Sequence, residues 1–210
     1  MEFIFYVELI GTVAFAISGA LAAIEKDLDY YGIAFLAIIT AVGGGIIRDV
    51  LINRSLPVAL EDPVYVVVSL VSAACVIIFY SRIKRYKNML QFFDAIGLAA
   101  FTAIGAEVAI RNEIELPFVI LTLALLTGTG GGVLRDVFIR EIPFVFRKEI
   151  YAAASIAGSL VFILLLQFQG NAAALYASFA VTLAIRLISI KKDLHLKRVD
   201  RTGAENDHTE

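Results

Sequence analysis

The chain has 210 residues, 60% hydrophobic and 18% charged, with a formal net charge of −2 and a mean hydropathy of +0.83. Soluble domains carry about 45–50% apolar and about 25% charged residues, so the composition excludes an ordinary water-soluble globular protein and indicates an integral membrane protein. The net charge says little by itself; where the charges sit says more.

No cleavable signal peptide is expected, because the N-terminus lacks a basic segment and its apolar run continues as a full span. Runs near the ~20 residues needed to cross hydrocarbon follow in chain order at about 3–24, 31–53, 62–80, 90–110, 116–140, 148–168 and 172–190. Each is long and continuously apolar, without the alternation of a membrane barrel. The predicted fold is an all-α integral membrane protein of seven transmembrane helices. Residues 1–190 form one transmembrane domain, and 191–210 form a polar, partly disordered tail. There is no tryptophan, so Tyr30, Tyr31, Tyr80 and Tyr86 are the candidates for an interfacial belt. Cys75, the single cysteine, lies in an apolar run and is read as a packing residue.

The two halves match. ELIGTVAFAISGA (Glu8 to Ala20) aligns with DAIGLAAFTAIGA (Asp94 to Ala106) at an offset of 86. Gly11/Gly97, Phe15/Phe101 and Gly19/Gly105 are shared, and the acidic Glu8 and Asp94 fall in register. GGGIIRDVL (from Gly43) aligns with GGGVLRDVF (from Gly130) at 87, and Pro57/Pro143, Tyr65/Tyr151 and Ser69/Ser155 follow at 86. Such self-similarity marks a repeat architecture. Repeat one is 1–81, repeat two is 88–168, and the seventh helix, 172–190, is an addition. Three spans per repeat make the second copy enter from the opposite side, an inverted repeat about a pseudo-two-fold axis in the membrane plane.

With the N-terminus outside, the outer side holds Arg48, Arg54 and Arg111. The inner side holds Lys26, Arg82, Lys84, Arg85, Lys87, Arg135, Arg140, Arg147, Lys148, Arg186 and the tail cations Lys191, Lys192, Lys197, Arg198 and Arg201, a split of 3 against 15. The positive-inside rule then puts the N-terminus outside and the C-terminus in the cytoplasm.

A helical glycine costs about 1 kcal/mol relative to alanine. Gly43, Gly44 and Gly45 in the second span, and Gly130, Gly131 and Gly132 in the fifth, are therefore expected to break their helices and present backbone carbonyls to an ion pathway. Close helix packing is the competing reading of the same glycines. Arg48-Asp49 and Arg135-Asp136 follow directly, and intramembrane charge is functional by default. The expected pairs run across the pseudo-two-fold axis, Arg48 with Asp136 and Arg135 with Asp49, lining the pathway or clamping the breaks. Glu8 and Asp94 are candidates for its mouths, with ordinary helix-start residues as the alternative. Thr127 and Thr129 offer hydroxyls beside the second break. Glu107 has no acidic counterpart in the first repeat and receives no role. The basic loop SRIKRYKN (Ser81 to Asn88) and the tail suit anionic lipid headgroups or simple topogenic charge.

Several chemistries are excluded. Both histidines, His195 and His208, lie in the tail, leaving none for a Ser-His dyad or a metal cluster. GGGxxRD lacks the lysine and Ser/Thr of a phosphate-binding loop. No enzyme, resident cofactor or nucleic-acid partner is expected.

The duplicated GGGxxRDV strings, each in the second helix of a three-helix repeat, together with a seventh helix, resemble the TRIC family, the trimeric intracellular cation channels, in its prokaryotic form. The resemblance covers roughly residues 1–190. It implies a homotrimer with one hourglass pore per protomer, formed by second and fifth helices kinked at the glycines and permeant to K⁺ and Na⁺, in a prokaryotic plasma membrane. By motif match it carries to Gly43, Gly44, Gly45, Arg48 and Asp49, and to Gly130, Gly131, Gly132, Arg135 and Asp136. Animal members have a lysine tied to voltage gating near the kinked helices; neither span here contains one. The alternative is a secondary transporter for a small amino acid such as glycine, a description the same group of sequences has carried. Inverted repeats with a midplane site serve carriers too, and half-helix amides with Arg48 and Arg135 suit a substrate carboxylate.

Overall fold

The structure is a computed structural model, and it describes residues 2–86, 88–147 and 150–192. Its long helices are α1 (Glu2–Glu25), α2 (Tyr30–Leu51), α4 (Val64–Ile83), α5 (Met89–Arg111), α6 (Pro117–Phe138) and α8 (Ile150–Lys192). Two single-turn helices, α3 (Val58–Glu61) and α7 (Phe144–Arg147), follow α2 and α6. All six long helices have the length and apolarity to cross a membrane. The expected tail beyond 192, with both histidines, lies outside the described residues, as do Lys87 and Lys148.

Local sequence sets the boundaries. α2 begins behind Asp29, whose carboxylate accepts the Gly32 N–H at 2.7 Å and caps the first turn. α6 begins on Pro117, which has no N–H to leave unpaired there. α2 and α6 each end just before a residue in the left-handed region, Asn53 and Arg140, and the turns after α1 and α5 use Asp27 and Glu113 the same way. The repeat is thus visible in the loops as well as in the motifs.

α8 has 43 residues, about 65 Å of helix, twice the ~30 Å hydrocarbon thickness. It is not one rod. Gly170 adopts φ 77 and ψ 171, a backbone that glycine takes without strain. On its far side the chain doubles back, because Gly158 packs against Ser178 and Thr182. The two arms, 150–169 and 171–192, are the sixth and seventh membrane-length segments.

The packing is antiparallel about the pseudo-axis. Gly11 lies against Phe101 while Phe15 lies against Gly97, and the two rings meet at 5.4 Å. α2 crosses α6 in the same sense: Gly44 lies on the Thr127 carbonyl and Gly131 on the Thr40 carbonyl. Gly19 sits on the Leu36 carbonyl of α2, and Gly105 on the Leu123 carbonyl of α6. The exterior is apolar, with Val67, Val71 and Ile78 exposed along α4. Cys75 is exposed on this exterior rather than packed in the core.

The glycine triplets do not break their helices. α2 and α6 are each continuous through GGG. The reason is the crossing: a Cβ on Gly44 or Gly131 would collide with the opposing backbone carbonyl. The cost in helix propensity is offset by backbone-to-backbone approach, the geometry of small-residue membrane crossings. The hydroxyl protons of the nearby threonines are spent within their own helices. Thr127 and Thr129 donate to the carbonyls of Leu123 (2.5 Å) and Leu125 (2.7 Å), and Thr40 to Leu36 (2.6 Å).

Gly44→Ala and Gly131→Ala are expected to force the two backbones apart and destabilise the protein by about 1–3 kcal/mol. Gly45→Ala, whose Cβ would meet only Arg48 Nη2 at 3.8 Å, should be neutral or stabilise by up to about 1 kcal/mol. Thermal unfolding in detergent reads all three; equal behaviour of Gly44→Ala and Gly45→Ala would contradict the crossing.

Candidate functional site

Once α2 and α6 are continuous, Arg48 and Arg135 fall in their last turns. There the carbonyl end of the helix dipole favours a cation. Both side chains are buried, Arg48 at 2% exposure and Arg135 at 0%. Each guanidinium turns back onto its own neighbour: Arg48 Nε donates to Asp49 Oδ1 at 2.8 Å, and Arg135 Nε to Asp136 Oδ1 at 2.8 Å. The cross-axis pairs Arg48–Asp136 and Arg135–Asp49 do not form among the described residues, where the ion pairs of these arginines stay within their own ends of the bundle. Sequence-adjacent pairing closes a short ring without spanning the Gly44/Gly131 crossing.

The second oxygen of each aspartate explains the short helices. Asp49 Oδ2 accepts the Val58 N–H at 2.9 Å, and Asp136 Oδ2 accepts the Phe144 N–H at 2.8 Å. Val58 and Phe144 are the first residues of α3 and α7, directly after Pro57 and Pro143. Each carboxylate therefore neutralises an arginine and caps the helix that folds over it.

Glu8 and Asp94, in the second turns of α1 and α5 rather than at the helix starts, join the same constellations. In the first cluster, Glu8 Oε2 accepts the Tyr65 hydroxyl at 2.8 Å, and Glu8 Oε1 lies 4.0 Å from Arg48 Nη1. In the second, Asp94 Oδ1 accepts from Arg135 Nη1 at 2.7 Å and from the Tyr151 hydroxyl at 3.3 Å. Glu8/Asp94, Arg48/Arg135, Asp49/Asp136 and Tyr65/Tyr151 thus form two copies of one arrangement. Asp94 is level with Ser18 of α1, whose hydroxyl accepts from Arg135 at 2.5 Å. Ser18 is ten residues beyond Glu8, so the clusters stand about 15 Å apart along the bundle.

The copies differ in closure. The first opens into a cleft bordered by Glu8, Thr12, Gly45, Arg48, Asp49 and Tyr65, with room for about one water molecule. Glu8 is part-exposed, whereas each cluster leaves one arginine nitrogen buried without a hydrogen-bond partner, Arg48 Nη1 and Arg135 Nη2. The second is sealed, with Asp94 and Arg135 both at 0% exposure. A Cβ on Gly132 would meet the Tyr151 hydroxyl at 2.7 Å, whereas its counterpart Gly45 borders the cleft.

Two buried charges were given no site role by the sequence. Arg186, counted above among the topogenic cations, is at 0% exposure beside Asp94 Oδ2 (3.8 Å), with its guanidinium 4.7 Å from the Tyr151 ring centre. Glu107 is at 1% exposure, 3.3 Å from Arg111 and 3.5 Å from Asn171 just past the Gly170 turn. An apolar run containing one charge was the available clue to Arg186; its partner sits in a different helix, so no spacing rule marks it.

Outside the spans, Lys26 at the end of α1 holds Glu141 at 2.5 Å, and Arg147 adds a contact at 3.3 Å. Lys26 keeps the Glu141 carboxyl below its ordinary range. This small exposed contribution is present above the usual carboxylate value and is lost as pH falls through the lowered one.

Asp136→Ala leaves Arg135 and the Phe144 N–H short of a buried partner and is expected to destabilise by about 3–5 kcal/mol. Asp49→Ala, beside the open cleft where water reaches, should cost about 1–3 kcal/mol. Unfolding of the detergent-solubilised variants measures both; equal losses would mean that the two clusters are equally hydrated.

Comparison with known proteins agrees with this architecture. A family model described as "Glycine transporter" matches the chain twice, over residues 5–81 and 91–167. The UPF0126 inner membrane protein YadS of Escherichia coli is 37% identical over 205 residues, covering 92% of this chain and 94% of its own. The structure of a TRIC trimeric intracellular cation channel orthologue from Rhodobacter sphaeroides superposes with a TM-score of 0.87 at 32% identity, covering 92% of this chain and 100% of that one. A prokaryotic TRIC channel solved in 0.5 M KCl gives a TM-score of 0.87 at 33% identity over 93% and 99% of the two chains. The double match, the bacterial relatives and the shared fold together make this chain a multi-pass membrane protein of the UPF0126 group and a prokaryotic member of the TRIC family.

Proposed function

We propose that the protein is a monovalent cation channel, permeable to K⁺, with one pathway in each protomer. The observation that carries this reading is the placement of a carboxylate–arginine cluster on each side of the α2–α6 crossing, one of them opening to a cleft. The pathway passes the α2–α6 crossing, by Gly43, Gly44 and Gly45 and by Gly130, Gly131 and Gly132, where the backbones touch and part to let an ion through. Arg48, Asp49, Arg135 and Asp136 line its ends. Glu8 is the mouth carboxylate that draws cations, and Asp94 is its repeat-related counterpart. Solved relatives of the same fold are described as cation channels, which supports the assignment.

The N-terminus lies outside. Removing the buried Arg48, Arg135 and Arg186 from the loop count leaves Arg54 and Arg111 outside against Lys26, Arg82, Lys84, Arg85 and the remaining cations inside. The first cluster is then the outer one and the second the inner one. Three copies assemble in a prokaryotic plasma membrane, and the exposed Arg82, Lys84 and Arg85 meet anionic headgroups at the cytoplasmic face. No resident cofactor takes part.

A carrier for a small zwitterion is the second reading. It rests on Arg48 Nη1, which faces Glu8 without a hydrogen-bond partner and suits a carboxylate beside an ammonium. The cleft holds about one water, less than glycine requires.

Purified protein in a planar bilayer under a KCl gradient should give unitary openings that reverse near the K⁺ equilibrium potential. Glu8→Gln should lower unitary conductance about twofold in dilute KCl and less in concentrated KCl, because salt screens the mouth charge. A silent bilayer together with saturable glycine uptake into liposomes would replace the channel by the carrier.

A further inference from the structure

The repeat makes the two clusters equivalent, yet the inner one holds a fourth charged group from outside the repeat. The outer cluster consists of Arg48, Glu8 and Asp49, a formal charge of −1. The inner one has Arg135, Asp94 and Asp136, the same −1, and then Arg186 from the second arm of α8 brings it to zero. No counterpart of Arg186 exists at the outer end, because that arm lies outside the repeat.

Arg186 is poorly accommodated for a structural residue. Its guanidinium is fully buried, and none of its three nitrogens has a hydrogen-bond partner among the described residues. Its nearest acid, Asp94 Oδ2, is 3.8 Å away and has no hydrogen-bond partner either. Asp94 Oδ1 is already engaged by Arg135 and Tyr151. Nearby Ser178 and Thr182, on the same arm, also leave their hydroxyl oxygens unpartnered. Its long ion pair with Asp94 and the Tyr151 ring face are its compensation, and burying a guanidinium without a hydrogen bond is costly and needs a reason. At the outer end the equivalent acid, Glu8, has Arg48 beside it and a cleft in place of a second cation.

We propose that Arg186 is a tethered cation that occupies the free oxygen of Asp94, where a permeant ion would otherwise bind, and so makes the inner end the barrier of the pathway. The inference rests on the channel reading above. A pathway built by the repeat alone would conduct equally in both directions. With Arg186 in place, cations concentrate at the negative outer cluster and not at the neutral inner one. At equal voltages the current carried inward therefore exceeds the current carried outward, because local ion concentration follows local charge. Arg186 acts through Asp94 and is a conductance-determining residue, not a helix pin.

The test is single-channel current–voltage recording in symmetrical KCl at low ionic strength. Wild type is expected to rectify, with a larger inward limb. Arg186→Gln and the apolar Arg186→Met should raise the outward limb about twofold and straighten the curve. Asp94→Asn, combined with either, should abolish that gain. Glu8→Gln should straighten the wild-type curve in the opposite way, by lowering the inward limb. A protein that conducts K⁺ with a curve unchanged by Arg186→Gln overturns the proposal while leaving the channel reading intact; a wild-type protein that carries no cation current overturns the channel reading first. Failure of both Arg186 variants to fold counts against the proposal, because a structural pin is then the simpler account.

Discussion

A carboxylate with two obligations holds each end of this molecule together. Asp49 and Asp136 each take one bond from the arginine beside them and one from the first backbone N–H of a one-turn helix. An arginine buried among apolar helices is costly unless its charge is matched and its donors are used. An unpaired backbone N–H at a helix start carries its own cost. One side chain answers both, so the turn after α2 and the turn after α6 are set by the residues that tolerate the charge. The prolines before α3 and α7 fit this arrangement, since they direct the chain without needing a donor of their own.

That constraint accounts for the rest of the site. With the arginine fixed in the last turn, its outer nitrogens face the acid in the second turn of α1 or α5, and the tyrosine of α4 or α8 bonds the same acid. Four residues from three helices therefore converge because each helix enters at a level set by the glycine crossings. Gly19 and Gly105 bring α1 to α2 and α5 to α6; Gly44 and Gly131 bring α2 to α6. The glycines act on the site by letting backbones approach, not by breaking them.

The repeat supplies symmetry, and the departures from it give the protein a direction. The Ser18 hydroxyl oxygen accepts a bond from Arg135, and its counterpart Ile104 has no acceptor there. Gly132 is held under Tyr151, whereas Gly45 borders a cleft. Arg186 comes from an arm with no partner in the other half. The exposed straps near the two ends reverse their charges as well, Arg54–Glu61 on one side and Glu141–Arg147 on the other. An inverted repeat without such differences has two interchangeable faces.

The sequence by itself determined the membrane class, the all-helical fold, the duplication and the inverted arrangement. Apolar run length and self-similarity are properties of the chain alone, and an odd number of spans per copy has one topological consequence. The important side chains of the clusters were also legible, since Glu8, Arg48, Asp49 and Tyr65 repeat at fixed offsets as Asp94, Arg135, Asp136 and Tyr151. Only the tertiary structure decided what each of them touches. The glycines have the same composition whether a helix breaks or packs closely; the carbonyl of Thr127 against Gly44 settles which. Arg48 has a carboxylate next to it and another across the axis, and the distance along the bundle selects the neighbour. Arg186 reads as a helix-end cation in the chain; the gap between the sixth and seventh runs marks the turn at Gly170, but not that the arm after it packs Arg186 against Asp94. Partners are set by helix crossing and depth, which the order of residues along one helix does not encode.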